Sequence, residues 1–278
     1  MRRSVITLLV GALTAMGLGI APGAVATAAA RTVADDTRTD TVADVRPASA
    51  PEAPAGLDCY SLQSHERARQ ATLDGGFTAE IVPVAVRVAE GPIADAMHVA
   101  DEGIRMDATL EGIRGVKLLR EGGRITAASA SQICDGASGV VVVNDRGLKA
   151  MGVHPLARVH HMTVIGGDPV IMLEAPLPAT HHALKKAGMT IDDIDLFEVN
   201  EAFASVPLAW LQDTGADPAR LNVNGGAIAM GHPLGASGTR LMATLVHALQ
   251  ARGKRYGLQT MCEGGGQANV TIVERLRA

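Results

Sequence analysis

Apolar and polar positions follow helix-like and strand-like spacing from about residue 58 to the end of the chain. Tyr60–Ala68 has the spacing of an amphipathic helix, which Gly75 and Gly76 end. A strand is predicted around Ile81–Val88. Residues 91–124 mix polar and glycine-rich stretches with short apolar patches, which favours a loop-built subdomain.

The remaining residues, 125–278, alternate strand and helix signals. Four consecutive valines at 140–143 predict a buried strand. Further strands are predicted at Ile194–Val199, Leu221–Asn224, Tyr256–Cys262 and Ala268–Val273. Three helices are predicted. The first spans Thr180–Ala187, the second has an apolar face formed by Phe203, Val206 and Trp210, and the third has an apolar face formed by Leu234, Leu241, Leu245 and Leu249. This alternation predicts an α/β fold whose layered sheet is largely parallel with an antiparallel edge.

The first 57 residues lack this globular pattern. Arg2 and Arg3 precede the uncharged run Val5–Ile20, and small residues follow it, so residues 1–30 resemble a secretory signal peptide. The run is short and diluted by Thr and Gly, which argues against a permanent membrane span. A mis-assigned start codon is the alternative interpretation. Residues 31–57 contain three prolines and no sustained apolar period, and are predicted to be a disordered linker.

The amino-acid composition excludes several classes of function. The formal net charge of −4 excludes binding to nucleic acid or to anionic membranes through bulk charge. One Trp, two Tyr and three Phe are too few for base-stacking platforms. Three cysteines without a CxxC pair form no disulfide framework and favour a reduced, cytoplasmic chain. That preference conflicts with the signal-like start, and the sequence leaves the conflict open.

Several common catalytic and binding motifs are absent from the globular part of the sequence. It has no GxxxxGK[ST] phosphate loop, no GxGxxG between a strand and a helix, and no GxSxG nucleophile motif. The adjacent pairs His160–His161 and His181–His182 have poor chelating geometry and are interpreted as surface or packing residues.

Three segments place a reactive group beside small residues. They are Asn200–Ala204 at the end of a predicted strand, Gly225–Gly238 with one imidazole at His232, and Cys262–Gln267 with a thiol before three glycines. A glycine N–H can approach a substrate oxygen closely, as an oxyanion site requires. Taken singly, each segment has an ordinary alternative, because Cys262 could be a small buried hydrophobe and His232 a helix-start residue.

Together and in this order, the segments resemble the C-terminal half of a thiolase: NEAF, then GGxxxxGHPxGxSG, then CxGGGQ. The resemblance covers residues 58–278. It implies a thiolase-like layered α/β fold, with one βαβαβαββ half and part of the loop subdomain. In this division, residues 58–124 are the loop subdomain and the end of the N-terminal thiolase region, and residues 125–278 are the C-terminal domain.

The resemblance also implies roles for individual residues. Thiolases cleave 3-ketoacyl-CoA or condense two acyl-CoAs, with coenzyme A as a substrate and with no permanently bound cofactor or metal. By similarity, His232 activates the acyl-accepting cysteine and helps to form one oxyanion hole, in which Asn200 fixes a water. Cys262 moves the proton on the α-carbon, and it does so as a thiolate, a state that a nearby imidazole favours. The N–H of Gly264 contributes to the second oxyanion hole. The expected CoA-binding residues are Ser131, Ala202 and Phe203.

The sequence departs from the family pattern in its first half. A full thiolase has two similar halves and carries the nucleophilic cysteine in the first, which has no counterpart here. Cys59 and Cys134 match no catalytic motif and are interpreted as packing residues. Glu263 and Asn269 also differ from the usual pattern beside the catalytic thiol, and they leave the acyl-chain preference open.

Three functions remain open at this point. The chain could be a thiolase-type acyltransferase, a catalytically inactive truncated remnant, or an exported CoA- or acyl-binding protein. The partners that the resemblance implies are acyl-CoA and either further copies of the chain or a missing N-terminal thiolase half, with no nucleic acid and no membrane span. The family's chemistry is cytoplasmic.

Overall fold

The computed structural model describes residues 7–9, 53–88 and 91–276. Its strands are β1 Thr7–Leu9, β2 Val84–Val88, β3 Gly91–His98, β4 Val141–Val143, β5 Ala157–Gly166, β6 Leu196–Val199, β7 Tyr256–Glu263 and β8 Gln267–Arg275. Its α-helices are α1 Ala53–Leu73, α2 Leu110–Arg114, α3 Asp145–Met151, α4 Pro176–Ala187, α5 Ser205–Thr214, α6 Ala227–Met230 and α7 Ser237–Ala251. Short 3₁₀ turns lie at Ala127–Ser129, Ile191–Asp193 and Pro218–Arg220. The predicted α/β class is confirmed.

Six strands form the main sheet in the order β4-β1-β5-β8-β7-β6, and β2 pairs with β3 in a separate sheet. Among the described strands, β6 and β7 are the one parallel pair, with Val199 opposite Thr260. Strand β8 is antiparallel to both β7 and β5, and β1 is antiparallel to both of its neighbours. The predicted largely parallel sheet is therefore wrong. Helix α7 provides the crossover that a parallel pair needs, whereas a three-residue turn joins β7 to β8 and allows only antiparallel pairing.

The boundaries near the amino terminus also differ from the prediction. Helix α1 begins at Ala53, so the predicted linker at 31–57 extends too far. Pro54 lies in the first helical turn, where the missing N–H of proline costs no intrahelical hydrogen bond. Within the signal-like segment, Thr7–Leu9 form β1. The remainder of the predicted signal-like segment and linker, up to residue 52, lies outside the described residues.

Two apolar clusters lie on opposite faces of the main sheet. Phe197 and Ile272 pack against α4 and α5, where the Phe197 and Trp210 rings lie 5.1 Å apart. Their sequence neighbours Leu196 and Val273 point the other way and pack against α7. This alternation produces three layers, helices–sheet–helix, because successive side chains of a strand face opposite sides.

Several side chains predicted to be in the core are elsewhere. Val142 in β4 is 52% exposed, because β4 is an edge strand of the sheet. Leu234 is 82% exposed and precedes α7, although Leu241, Leu245 and Leu249 are buried on that helix as predicted. Phe203 precedes α5 and pairs with Ala130 instead of lying on the helix.

The predicted strand at Leu221–Asn224 forms only in part: Leu221 makes an isolated parallel bridge with Phe197, and the side chain of Asn222 then takes the place of strand backbone. Asn222 has a positive φ of 44°, which asparagine tolerates better than most residues. Its Oδ1 accepts a hydrogen bond from the Val199 N–H, and its Nδ2 donates to the Val199 carbonyl, both at 2.9 Å. One amide side chain thus satisfies the two backbone groups that a neighbouring strand would satisfy.

Strand β5, the longest of the described strands, has no counterpart in the sequence prediction. Its burial alternates along Ala157–Gly166, with Met162 and Val164 on the exposed face at 56% and 66%. Histidines and threonine interrupt its apolar positions, so its pattern is weak. Of the helices with described residues, none is long and apolar enough to cross a membrane.

We predict that Thr180→Val destabilises the fold by about 1–3 kcal/mol, because it leaves a buried N–H without an acceptor. The indole Nε1 of Trp210 donates to Thr180 Oγ1 at 2.8 Å, and both residues are fully buried. Urea unfolding followed by the fluorescence of the chain's single Trp measures the change. Thr271→Val, at a partly buried strand position, is the matched control, with a change within about 0.5 kcal/mol. Equal effects of the two variants would contradict the prediction.

Candidate functional site

The three motif segments meet where β6 and β7 end. Asn200 directly follows β6, and its backbone N–H donates to the Thr260 carbonyl of β7 at 3.1 Å. Cys262 lies two residues beyond Thr260 on the same strand. Because the carboxyl ends of parallel strands share one edge of a sheet, the amide and the thiol lie at that edge, where α/β folds bind ligands.

His232 lies between a hydroxyl and an amide. Its Nδ1 is 2.6 Å from Ser237 Oγ, and its Nε2 is 3.5 Å from Asn200 Nδ2. Ser237 Oγ donates its proton to the Pro233 carbonyl at 3.0 Å, so it accepts from the imidazole, and the proton lies on Nδ1. Nε2 therefore carries the lone pair and faces Asn200.

Electrostatics keeps this imidazole neutral. Burial, and then the Arg240 guanidinium, lower the pKa of His232 below its usual value. Arg240 also donates to the carbonyl of Gly231, the residue before the histidine, at 3.1 Å. At neutral pH, Nε2 is thus available to accept a proton.

Asn200 is buried, with 1% of its surface exposed. In the described part of the chain, its Oδ1 accepts no hydrogen bond. A buried amide oxygen with a free lone pair, beside His232 Nε2, can accept a hydrogen bond from a water or a substrate. This fits the role that the family resemblance implies for Asn200, which remains a prediction.

The thiol of Cys262 differs from the thiolate that the sequence interpretation expected. Burial, and to a smaller extent the Glu263 carboxylate, raise its pKa to about 11. Among the described residues, no hydrogen bond joins Cys262 to His232, so the imidazole does not offset the cost of burying a charged sulfur. The resting group is a neutral thiol and therefore a proton donor.

The glycine turn after Cys262 is compact on one side and open on the other. Gly265 and Gly266 have φ values of 82° and 79°, and Gly266 packs against the Asp168 carbonyl. Gly264 is exposed, with open space around its α-carbon. A substrate oxygen can therefore approach the backbone at Gly264 without meeting a side chain.

The three expected CoA-binding residues also lie together. The Ser131 N–H donates to the Ala202 carbonyl at 3.0 Å, and the Ala204 N–H donates to the Ser129 carbonyl at 2.9 Å. Ala130 and Phe203 form an isolated antiparallel bridge between these two bonds. The arrangement brings together a serine, a small residue and an aromatic ring, all partly buried, beside Asn200.

Glu201 and Ser237 are two site residues that the sequence interpretation missed. Glu201 is 1% exposed, and its carboxylate accepts four hydrogen bonds, from Tyr60 Oη, Ser64 Oγ, Asn222 Nδ2 and the Ile228 N–H. The acid directly after Asn200 in the NEAF segment was a signal for the first, and the serine of the glycine-rich segment was a signal for the second. Nothing in the spacing showed what either side chain contacts.

The remaining candidate side chains lie at the surface. Cys59 and Cys134 are both exposed, so their interpretation as packing residues is wrong, although the Cys134 thiol contacts the Gly231 backbone. His181 forms an exposed 2.7 Å pair with Asp213. No group of three or more His, Cys, Asp or Glu side chains in the described residues is arranged to hold a metal ion.

Comparison with known proteins finds that this chain matches the models of two domains of one family. The model for the thiolase C-terminal domain matches residues 153–275, and the model for the thiolase N-terminal domain matches residues 52–146. The steroid 3-ketoacyl-CoA thiolase FadA6 of Mycobacterium tuberculosis is 54% identical over 220 residues, which are 79% of this chain and 52% of that protein. A 3-ketoacyl-CoA thiolase of Vibrio cholerae is 43% identical over 78% of this chain and 57% of its own length.

Solved structures give the same result. Human mitochondrial 3-ketoacyl-CoA thiolase, whose structure is also known in complex with CoA, superposes with a TM-score of 0.76 at 40% identity, over 81% of this chain and 56% of the human one. The Bacillus anthracis acetyl-CoA acetyltransferase superposes with a TM-score of 0.77 at 35% identity, over 81% of this chain and 57% of its own. The chain thus spans about half the length of the relatives it matches.

We predict that Glu263→Gln lowers the pKa of the Cys262 thiol, because it removes a negative charge that disfavours the thiolate. The rate of alkylation by iodoacetamide, measured against pH, reports the pKa. Cys59 and Cys134 are replaced by serine beforehand, since both are exposed. The exposed Glu121→Gln is the control for loss of one carboxylate. A Cys262 profile unchanged by Glu263→Gln would contradict the assigned cause.

We also predict that Ser237→Ala converts His232 from one tautomer to a mixture, because Nδ1 loses its hydrogen-bond acceptor. Nitrogen-15 shifts of the imidazole, assigned with a His232→Gln spectrum, distinguish the two tautomers. Ser138→Ala is the control, since its hydroxyl contacts Ala236 and Thr239 but not the imidazole. A single Nδ1–H tautomer in Ser237→Ala would show that another group sets the proton position.

Proposed function

Because the chain belongs to the thiolase family, we propose that it provides the C-terminal part of the active site of an acyl-CoA C-acyltransferase. The reaction is the thiolysis of 3-ketoacyl-CoA or the reverse condensation of two acyl-CoAs. The observation that carries the proposal is the pairing of His232 Nε2 with Asn200, at the strand edge that also holds Cys262.

His232 performs the first proton transfer in this proposal. Its neutral Nε2 accepts the proton of the acyl-accepting thiol, whose sulfur then attacks the 3-keto carbon. When the bond between the α- and β-carbons breaks, the resulting imidazolium donates a hydrogen bond to the enolate oxygen, together with a water held by Asn200. One nitrogen thus acts as a base and then as a hydrogen-bond donor.

Cys262 performs the second proton transfer. Breaking the bond between the α- and β-carbons moves its electron pair onto the enolate of the departing acetyl-CoA. The neutral Cys262 thiol donates its proton to the α-carbon, and its raised pKa is the appropriate state for a donor. The open backbone at Gly264 stabilises the oxyanion that forms when the thiolate attacks the 3-keto carbon. In the condensation direction, the Cys262 sulfur removes the α-carbon proton as a thiolate.

The half-buried Ser131, Ala202 and Phe203 contact the pantetheine part of CoA in this proposal. Their backbone hydrogen bonds hold the two segments together before CoA binds, so little conformational entropy is lost on binding. The coenzyme is a substrate here, and the proposal requires no permanently bound cofactor.

A thiolase N-terminal half supplies the acyl-accepting thiol in this proposal. The sequence has three cysteines, of which Cys262 already has a role and the other two lie outside the motif segments. Met162 and Val164 of β5 leave an apolar sheet face exposed, which such a half or a second copy of the chain would cover. We favour the N-terminal half, because it supplies both the missing thiol and the covering surface.

The test is thiolysis of acetoacetyl-CoA by the full chain, with and without an N-terminal half expressed from a thiolase relative. We expect no turnover above background for the chain alone and measurable turnover for the pair, because the covalent intermediate needs the second thiol. In the pair, His232→Ala and Cys262→Ala each lower kcat by about 10²–10⁴-fold.

Cys59→Ser is the matched control, since Cys59 is exposed on α1, and it should leave turnover by the pair unchanged. Turnover by the chain alone that Cys59→Ser abolishes would make Cys59 the nucleophile and would contradict the proposal. CoA binding without turnover in any combination would instead favour an acyl-binding protein, and the absence of both would favour an inactive remnant.

A further inference from the structure

We infer that Glu201 is a positioning residue: its buried carboxylate fixes α1 against the turn at 225–230 and thereby sets the placement of His232 beside Asn200. The consequence for catalysis rests on the proposed function, whereas the consequence for the geometry does not. Glu201 lies between the two residues it positions, since it follows Asn200 directly and contacts the segment that leads to His232.

Each carboxylate oxygen accepts one hydrogen bond from a hydroxyl and one from an N–H. Oε1 accepts from Tyr60 Oη at 2.9 Å and from Asn222 Nδ2 at 3.0 Å. Oε2 accepts from Ser64 Oγ at 2.7 Å and from the Ile228 N–H at 3.0 Å. Four donors fill the hydrogen-bonding capacity of an ionised carboxylate, so each lone pair of the buried charge accepts a hydrogen bond.

A carboxylate is required here, because neither N–H donor can be exchanged for an acceptor. The Ile228 donor is a backbone N–H, and the Asn222 amide is held in one orientation by its two bonds to Val199. Replacing Glu201 with glutamine would point an NH₂ group at one of these N–H donors in either orientation. An amide of the same shape therefore leaves two donors facing each other.

The contacts transmit this constraint to the site through Ser64. Its hydroxyl donates to Glu201 and also accepts from the Gly226 N–H at 3.1 Å, so it links the carboxylate to the turn before α6. Gly225 is pressed against α1, because a Cβ there would lie 2.6 Å from the Ser64 carbonyl, and Gly226 is pressed against the Glu201 carboxylate. The turn, the helix and the acid can therefore shift only together.

Helix α6 carries the constraint from this turn to the imidazole. It begins at Ala227 and ends at Met230, and the Gly231 N–H donates to the Ala227 carbonyl at 2.9 Å. His232 follows directly, with its own N–H bonded to the Gln132 carbonyl. A shift of the turn relative to Glu201 therefore changes the 3.5 Å separation between His232 Nε2 and Asn200 Nδ2.

The test compares Ser64→Ala with Ser61→Ala in the full chain. Both serines are buried on α1, but the Ser61 hydroxyl, as far as the described residues go, bonds only to the Leu57 carbonyl within its own helix. Ser64→Ala removes one donor from Glu201 and the acceptor of the Gly226 N–H. The first measurement is the set of imidazole nitrogen and carbon shifts of His232, which needs no activity. We expect these shifts to change in Ser64→Ala and to match wild type in Ser61→Ala.

The second measurement is turnover by each variant paired with the N-terminal half. We expect kcat of Ser64→Ala to fall by about a hundredfold with KM unchanged, since small displacements of reacting groups cost rate more than binding. Ser61→Ala should keep both parameters. If the wild-type pair has no turnover, the proposed function fails, and the His232 shifts alone decide the present inference.

Identical His232 shifts in Ser64→Ala and wild type would overturn the inference. Where Ser64→Ala does not fold, Tyr60→Phe replaces it, because this change removes one Glu201 donor and leaves the bond between Ser64 and Gly226 intact. Altered His232 shifts in folded Tyr60→Phe would support the inference, and shifts equal to those of wild type would refute it.

Discussion

The buried carboxylate of Glu201 is the interaction on which the arrangement of the site depends. A charge withdrawn from water is costly unless its hydrogen-bonding capacity is filled. Its four donors come from α1, from the loop before Gly225 and from α6, so three separate parts of the chain must be in place together. The requirement to satisfy one anion therefore helps to fix the relative positions of these three parts of the chain.

This interaction crosses the boundary between the two matched family regions. Tyr60 and Ser64 lie within the match to the N-terminal domain model, whereas Glu201 lies within the match to the C-terminal one. A boundary drawn from sequence similarity follows the order of residues along the chain. The hydrogen bonds instead make α1 part of the layer that supports His232 and Asn200.

Local features of the fold could be predicted from the sequence, and features that depend on distant partners could not. The hairpin of β7 and β8 and the end of α4 at Gly188 follow from nearby glycines and apolar spacing. Sheet direction depends on which strands become neighbours, which spacing does not encode. The segment at 221–224 has the pattern of a strand, yet the Asn222 side chain bonds to Val199 in place of a strand backbone.

The same distinction applies to the site. Motif resemblance selected Asn200, His232 and Cys262, and the first two lie in contact. The charge state of Cys262 could not be predicted, because it depends on how deeply the fold buries the sulfur. The role of Glu201 in joining separate elements could not be predicted, since its hydrogen-bond partners lie up to 141 positions away in the sequence.

That separation has a consequence for the chain entropy that is lost when the site forms. The β7–β8 hairpin closes a loop of a few residues, whereas joining Tyr60 to Glu201 closes one of more than a hundred, at a greater cost in chain entropy. The contacts that set the geometry of the site are therefore costlier in chain entropy than those that form its individual strands and turns.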